Sequence, residues 1–344
     1  MSNIGLDLGT HSIKVVELKQ TNSSPLITNF AVFESEKLLL DLNVPEKLDF
    51  YISKLRDYFS TVSFNSSDVN LTIPDSEVFL SVREFPKMSV PDLRNHINLQ
   101  AQEIFPENIN SLSYDLRILE EEKDGNIEVL IIAAKKLRIE QYIDILKRCD
   151  LTPMVIESRC ISNSRMIDNY DKNKAIMILD FGFNSSMIQI SSEKVPRFVK
   201  NVPIGSSTFN RTLVQNLNLS LIQAEEYKKV YGMDPSVGDG KIYEYLKPLA
   251  DSFILDIKRS IVYFIEKHKH MELTKIYLTG GLSKMPSFRE YFAKNLNYQV
   301  EIFDLFNKVK VSSDLNKYEN ELKAISPVIV TATGAAGVNI LWVN

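Results

Sequence analysis

Residues Ile4-Gly-Leu-Asp-Leu-Gly-Thr-His-Ser-Ile-Lys-Val-Val-Glu-Leu18 read as an apolar strand, a short polar turn and a second apolar strand. The run Ile4 to Leu8 is too short for a helix and carries one acid, Asp7, at its end. Gly9 has no Cβ, so the backbone there can approach a ligand closely. The turn Thr10-His11-Ser12 offers hydroxyls and backbone N–H groups to phosphate oxygens. Lys14 follows Ser12 on the same face of the second strand, because alternate strand residues share a face. Asp7 could hold a hydrated cation. Read alone, the segment is also simply a tight hairpin with a polar tip.

A second copy of the pattern stands at Ile176 to Ile190, Ile-Met-Ile-Leu-Asp-Phe-Gly-Phe-Asn-Ser-Ser-Met-Ile-Gln-Ile. Asp180 and Gly182 repeat the spacing of Asp7 and Gly9, and Asn184, Ser185 and Ser186 supply the polar turn. Two copies about half a chain apart are expected of two similar halves that face one another, with a carboxylate on each side of one cleft. Magnesium takes oxygen ligands, keeps several waters and bridges nucleotide phosphates. Asp7 and Asp180 are therefore the candidate acids for Mg2+ held through water.

The chain of 344 residues is long enough for about two domains, and 44% hydrophobic residues suffice for large cores. A formal net charge of −4 without a Lys/Arg-dense stretch argues against nucleic acid. Cys149 and Cys160 have no CxxC spacing and read as reduced core thiols. His11, His96, His268 and His270 form no metal-ligand spacing with acids or cysteines and read as surface residues. The sequence begins directly with a strand and has no charged leader with an apolar core, so no secretory signal is expected. It holds no run of about 18 apolar residues either, so a cytoplasmic protein without a membrane span is expected.

After the first hairpin, Leu26 to Glu34 reads as a strand, and Pro45 to Ser60 as a helix with apolar Leu48, Ile52, Leu55, Tyr58 and Phe59. A different rhythm follows. Asn70 to Ile73 and Val78 to Phe85 read as strands, Ser89 to Ile104 as a helix opened by Ser89 and Pro91, and Ser113 to Leu119 as a strand. A turn over Glu122 to Asn126 leads into the apolar strand Ile127 to Ala134, and Lys136 to Cys149 makes an amphipathic helix. Residues 71–150 thus read as a compact α/β insert, with 1–70 and 151–174 forming the first lobe around it. Residues 175–344 read as the second lobe, mostly helical over 206–270.

Near the end, Ile276-Tyr-Leu-Thr-Gly-Gly-Leu-Ser-Lys-Met-Pro-Ser-Phe288 runs a strand into Gly280-Gly281 and Ser283. Paired glycines let backbone pass flat against a base or ribose, which a Cβ would obstruct. The same residues also make an ordinary strand-to-helix turn. On the helix from Ser220, Glu225 and Lys228 lie at i and i+3 on one face. They are either a solvated ion pair or, beside a nucleotide, a ribose acceptor and a cation lying against the base.

These motifs in this order resemble the actin-like ATPase superfamily, which includes sugar kinases, the large heat-shock chaperones and the cell-division protein FtsA. Within it the chain is similar to the PilM family of type IV pilus assembly. The narrower likeness rests on Gly5 to Glu17, on Ile73-Pro74 with Phe85-Pro-Lys-Met-Ser-Val-Pro-Asp-Leu93 and Gln102-Glu-Ile-Phe-Pro106, and on Val202-Pro-Ile-Gly205 followed by Ser220-Leu-Ile-Gln-Ala-Glu-Glu-Tyr-Lys228. It covers nearly the full chain. The resemblance implies an actin-like, ribonuclease H-like duplicated α/β fold of two lobes around a nucleotide cleft, with the small insert in the first lobe. It implies ATP or ADP with Mg2+ as ligands, and Gly205 as a further part of the cleft. It also implies a scaffold at the inner face of the cytoplasmic membrane that captures the short cytoplasmic tail of a bitopic, PilN-like partner in a groove between insert and first lobe. Contacts with pilus motor ATPases or the platform protein, and self-association, come with that reading.

The chain departs from the family pattern at Phe181 and Phe183, which are bulkier than usual, and at Ser186, Met187 and Ser206. Nucleotide binding is therefore expected, with at most slow turnover. Glu157, in Val155-Ile-Glu-Ser158, is the candidate for orienting water, against a structural role. Two other functions compete. An FtsA-like filament former should carry a C-terminal membrane-targeting helix, whereas the sequence stops at Trp342-Val-Asn344 after its last apolar segment. A small-molecule kinase would need an acceptor pocket with a catalytic acid, and no such motif stands out.

Overall fold

Strand β1 (Ser2–Leu8) turns back into β2 (Ser12–Lys19), which turns back into β3 (Leu26–Glu34), all antiparallel. Both faces of this ribbon are covered, so its apolar run is nearly continuous: Ile4, Leu6, Leu8, Ile13 and Val15 enter one core, Val16 and Leu18 another. Helix α1 (Pro45–Thr61) starts with proline in its first turn and buries Tyr51, Ile52 and Leu55 on the first core. Strand β4 (Asp68–Ile73) then returns parallel to β1. The computed structural model describes residues 2–9, 11–21, 24–34, 42–121, 125–167 and 171–340. Thr10, most of the turn expected at Glu122 to Asn126, Asp168, Leu341 and the terminal Trp342-Val-Asn344 lie outside the described residues.

The insert comprises β5 (Val78–Pro86), α2 (Val90–Leu99), α3 (Ala101–Ile104), β6 (Leu112–Glu121) and β7 (Asn126–Lys135). The helix expected over Ser89 to Ile104 is split, because Gln100 leaves helical geometry between α2 and α3. Leu93, Ile97, Ala101 and Ile104 still share one small core on a sheet of order β5-β7-β6. Helix α4 (Lys136–Arg148) and β8 (Thr152–Ser158) follow, and β8 joins the first sheet parallel to β4. The insert is therefore narrower than the expected 71–150. Strand β4 belongs to the first sheet, and Tyr142, Ile145 and Leu146 of α4 pack in the first-lobe core, leaving 78–135 as the added unit. An amphipathic helix does not itself reveal which sheet it covers.

Helix α5 (Arg159–Arg165) leads into β9 (Lys174–Phe181), β10 (Ser186–Ser192) and β11 (Val195–Val202). Next come α6 (Ser206–Leu217), α7 (Leu221–Tyr231), α8 (Lys241–Lys267), β12 (Glu272–Gly280), α9 (Phe288–Leu296) and β13 (Val300–Ile302). Ser220 and Gln223 cap α7 reciprocally. The order β11-β10-β9-β12-β13 repeats β3-β2-β1-β4-β8 strand for strand, with the same parallel and antiparallel senses. Buried Arg197 on β11 pairs with buried Glu128 on β7 and ties the insert to the second lobe. His268, expected on the surface, is buried beside Glu128 at the end of α8.

The chain closes with β14 (Lys310–Val311), α10 (Glu319–Ile325) and α11 (Val330–Ala336). These return to the first lobe, which corrects the expected second lobe of 175–344. β14 pairs with β3, and Phe303, Leu305, Val309, Leu322 and Ile329 pack with Val16, Leu18 and Ile27. Helix α11 lies directly on β1: a Cβ on Gly5 would come within 1.9 Å of the Ala332 carbonyl oxygen. It also crosses α5 at Gly334, where a Cβ would meet the Ser162 carbonyl oxygen at 2.1 Å. Among the described residues, no helix is long and apolar enough to cross a membrane.

Candidate functional site

The two hairpins close in the same way. The Gly9 N–H donates to the Ser12 carbonyl at 2.9 Å, and the Gly182 N–H donates to the Ser185 carbonyl at 3.1 Å. Their tips meet, with the His11 and Phe183 rings stacked at 4.0 Å between centroids and 8° between planes. Asp7 and Asp180 stand at matching strand ends. Thr72 on β4 lies beside Asp7 and donates to it at 3.3 Å; Thr279 on β12 lies beside Asp180 and donates at 3.1 Å.

Charge breaks this symmetry. Asp7 is buried, and its Oδ2 accepts from the Lys14 ammonium at 2.9 Å. Its Oδ1 accepts from Arg159 Nε at 3.0 Å, with Arg159 Nη2 at 2.9 Å. Burial by itself would raise the Asp7 pKa, but the Arg159 and Lys14 charges outweigh it and hold the carboxyl at about 2. Burial raises Asp180, and the nearby Asp7 charge adds to the rise against Arg159 and Lys14. Asp75, which accepts from the Cys160 N–H at 3.2 Å, is pushed up to about 6 by burial against the pull of Arg159. Burial disfavours the Arg159 charge, yet Asp7, Asp180 and Asp75 together hold its pKa above the ordinary value.

Arg159, Asp75, Thr72 and Thr279 escape the motif reading. Their signal is positional: Asp7, Asp75, Arg159, Asp180 and Gly280 all stand at or just past the carboxyl ends of parallel strands, where α/β sheets gather their ligand groups.

The remaining candidates divide into cleft and scaffold. Gly281 faces open space, with no atom within 4 Å of a Cβ built there, whereas Gly280 needs φ +79° and backs onto Phe181 and Asp180. Gly205 is tight for a structural reason: a Cβ would meet the Phe183 carbonyl oxygen at 2.4 Å, and the next two N–H groups bond to Gly182 and Phe183. The Ser186 hydroxyl donates to the Ile204 carbonyl and the Ser283 hydroxyl to the Gly280 carbonyl, both at 2.6 Å, so these buried serines support turns. Ser185 and Asn184 are exposed at the tip, where Asn184 accepts from Ser207 at 3.4 Å. Lys228 is buried and bonds to Asn210 at 2.8 Å and to Glu225 and Ser206, so it is no solvated ion pair. Burial works to raise Glu225, but Lys228 and Asn210 hold it below its usual value. The Glu157 carboxylate receives two Arg165 bonds, at 2.7 and 2.8 Å, and the Ser162 hydroxyl; Arg165 also reaches the Gly334 carbonyl. Glu157 therefore joins β8, α5 and α11.

The donor set does not suit a directly held magnesium ion. Both Asp7 oxygens are engaged by groups of the chain, and among the described residues no cluster of three acids, histidines or cysteines could hold a metal.

From residue 5 to residue 337 the sequence matches the family model described as type IV pilus assembly protein PilM. The chain belongs to the PilM family. Among solved structures it is similar to a PilM-PilN type IV pilus biogenesis complex, at 20% identity over 98% of both chains and a TM-score of 0.84. It is similar also to the ethanolamine utilization protein EutJ from Carboxydothermus hydrogenoformans, at 15% identity over 98% of this chain and 89% of that one, TM-score 0.58. MreB 5 of Spiroplasma citri bound to AMPPNP matches at 11% identity over 94% and 97% of the two chains, TM-score 0.51. The fold is the actin-like one that the PilM resemblance implied.

Proposed function

We propose that this PilM-family chain is an ATP- or ADP-binding scaffold of a type IV pilus or related secretion machine. The observation that carries the nucleotide reading is the pair of identically closed hairpins, each with an Asp–Thr pair, whose tips meet at the His11–Phe183 stack, with Lys14 and Arg159 on Asp7. Phosphates fit the cations and the turns, and the open space at Gly281 suits the flat nucleoside. Magnesium would arrive on the phosphates, with Asp180 facing it through water. Hydrolysis is at most slow, because the Glu157 carboxylate is engaged by Arg165 and Ser162.

The insert would take the cytoplasmic tail of a single-span, PilN-like partner, which holds the scaffold at the inner face of the cytoplasmic membrane. Family membership supports this, as does the outer position of β6 in the insert sheet. The tail would lie between insert and first lobe and couple the partner to the motor or platform. Calorimetry with ATP and ADP tests the first half of the reading. Titration with a synthetic peptide of the partner's N-terminal tail tests the second, and absence of heat in both would overturn it.

A further inference from the structure

Arg159 is the first residue of α5, immediately after β8, and this places its guanidinium against Asp7 near the end of β1. Two of its nitrogens lie within 3.0 Å of Asp7 Oδ1, while Lys14 takes Oδ2 and Thr72 adds a third contact. The Asp7 side chain is only 4% exposed, so its carboxylate has no open face on which to receive a metal or its waters. Among the described residues the β9–β10 register places no cation opposite Asp180: Met187 stands there, where Lys14 stands opposite Asp7. The charge of Arg159 reaches Asp180 and Asp75 as well as Asp7, so one guanidinium serves acids from both lobes.

Resting on the nucleotide reading above, we propose that Arg159 is a resident cation that takes the place of a metal ion at Asp7, so that this cleft holds nucleotide phosphates with little help from magnesium. A guanidinium is always charged and presents paired N–H donors that suit phosphate oxygens as well as carboxylates. With Lys14 beside it and the Asp7 carboxylate between them, the first lobe carries one net fixed positive charge at the phosphate turn. Magnesium would then screen charge that the protein already neutralises, and its contribution to affinity falls accordingly.

The test has two arms, both on the full chain at constant ionic strength. In the first, ATP affinity of the unaltered protein is measured with magnesium and with EDTA, and the two values should agree within about fivefold. In the second, melting is followed without nucleotide. The unaltered protein should show no shift with magnesium, whereas Arg159→Gln should gain a magnesium-dependent rise of about 3 °C or more that Asp180→Asn removes. A loss of ATP affinity beyond fivefold in EDTA, or a magnesium shift in the unaltered protein, would overturn the proposal, and neither result needs the variant to fold. If no buffer supports ATP binding while Arg159→Gln still gains its magnesium shift, the nucleotide reading fails and the resident cation stands.

Discussion

Lys14 stands directly opposite Asp7 in the β1–β2 register, its ammonium 2.9 Å from the carboxylate, whereas Met187 holds the matching place opposite Asp180. The backbone of the two lobes is duplicated, down to the Asp–Thr pairs at 3.3 and 3.1 Å, but the cations are not. Positive charge is therefore concentrated on the first lobe, and the second contributes turn and acid. A ligand bridging both would draw Asp180 toward charge supplied from across the cleft.

Asp7 should dominate the acid limb of stability at the site. Its folded pKa of about 2 lies below the ordinary 3.8, so its contribution is complete above pH 4 and is lost as pH falls toward 2. The size is about 2 kcal/mol. Asp7→Asn leaves Lys14 and Arg159 without their anion and should cost about 3 kcal/mol at pH 7. Urea denaturation at pH 7 and pH 3 checks both, with the variant losing less than the unaltered protein between those values.

Gly5 and Gly281 should respond oppositely to alanine. At Gly5 the new methyl would strike the α11 backbone, and two backbones cannot part cheaply, so Gly5→Ala should cost about 3 kcal/mol or more. At Gly281 the methyl enters open space, so stability should change by less than about 0.5 kcal/mol. If that space receives the nucleoside, ATP affinity of Gly281→Ala should fall about tenfold, or 1.4 kcal/mol. Thermal melts and calorimetry on the pair separate packing from binding.

The hairpins were legible because strand, turn and strand are local: Asp7, Gly9, Asp180 and Gly182 announce themselves by spacing alone. The long-range joins were not. Nothing near Val330 to Ala336 indicates that its small residues lie on Gly5, more than three hundred positions away, so the C-terminal segment reads as second lobe. The alternation in β4 and the stripe in α4 reveal burial but not which sheet is their neighbour. Ser186 and Ser283 look like phosphate donors until their hydroxyls are seen on backbone carbonyls. Arg159 carries no motif of its own, and only the parallel order of β1, β4 and β8 brings it to Asp7.

His268 should make the junction of insert and second lobe sensitive to mild acid. Burial is the main cause of its low pKa of about 4, helped by Lys267, Arg197 and His270 and opposed by Glu128, 3.8 Å away. The unfolded chain takes a proton near pH 6.5 and the folded one does not until about 4. Stability is therefore complete above pH 6.5 and is lost as pH falls through that interval, by about 3 kcal/mol. His268→Gln should flatten the melting profile between pH 6.5 and 4, and an unchanged slope would show that His268 is not its source.

Glu157 offers the sharpest separation between bracing and catalysis. Its paired bonds to Arg165, whose side chain is 5% exposed, form a buried bridge, and removing one charge leaves the other stranded. Glu157→Gln should therefore cost about 3 kcal/mol in urea denaturation. ATP affinity at a temperature where the variant stays folded should change little, because the bridge faces α11 through the Gly334 carbonyl. Any hydrolysis measured in the unaltered protein should persist in Arg165→Lys, which keeps the charge, if Glu157 is a brace. A variant with full stability and abolished turnover would instead identify Glu157 as the residue that orients water.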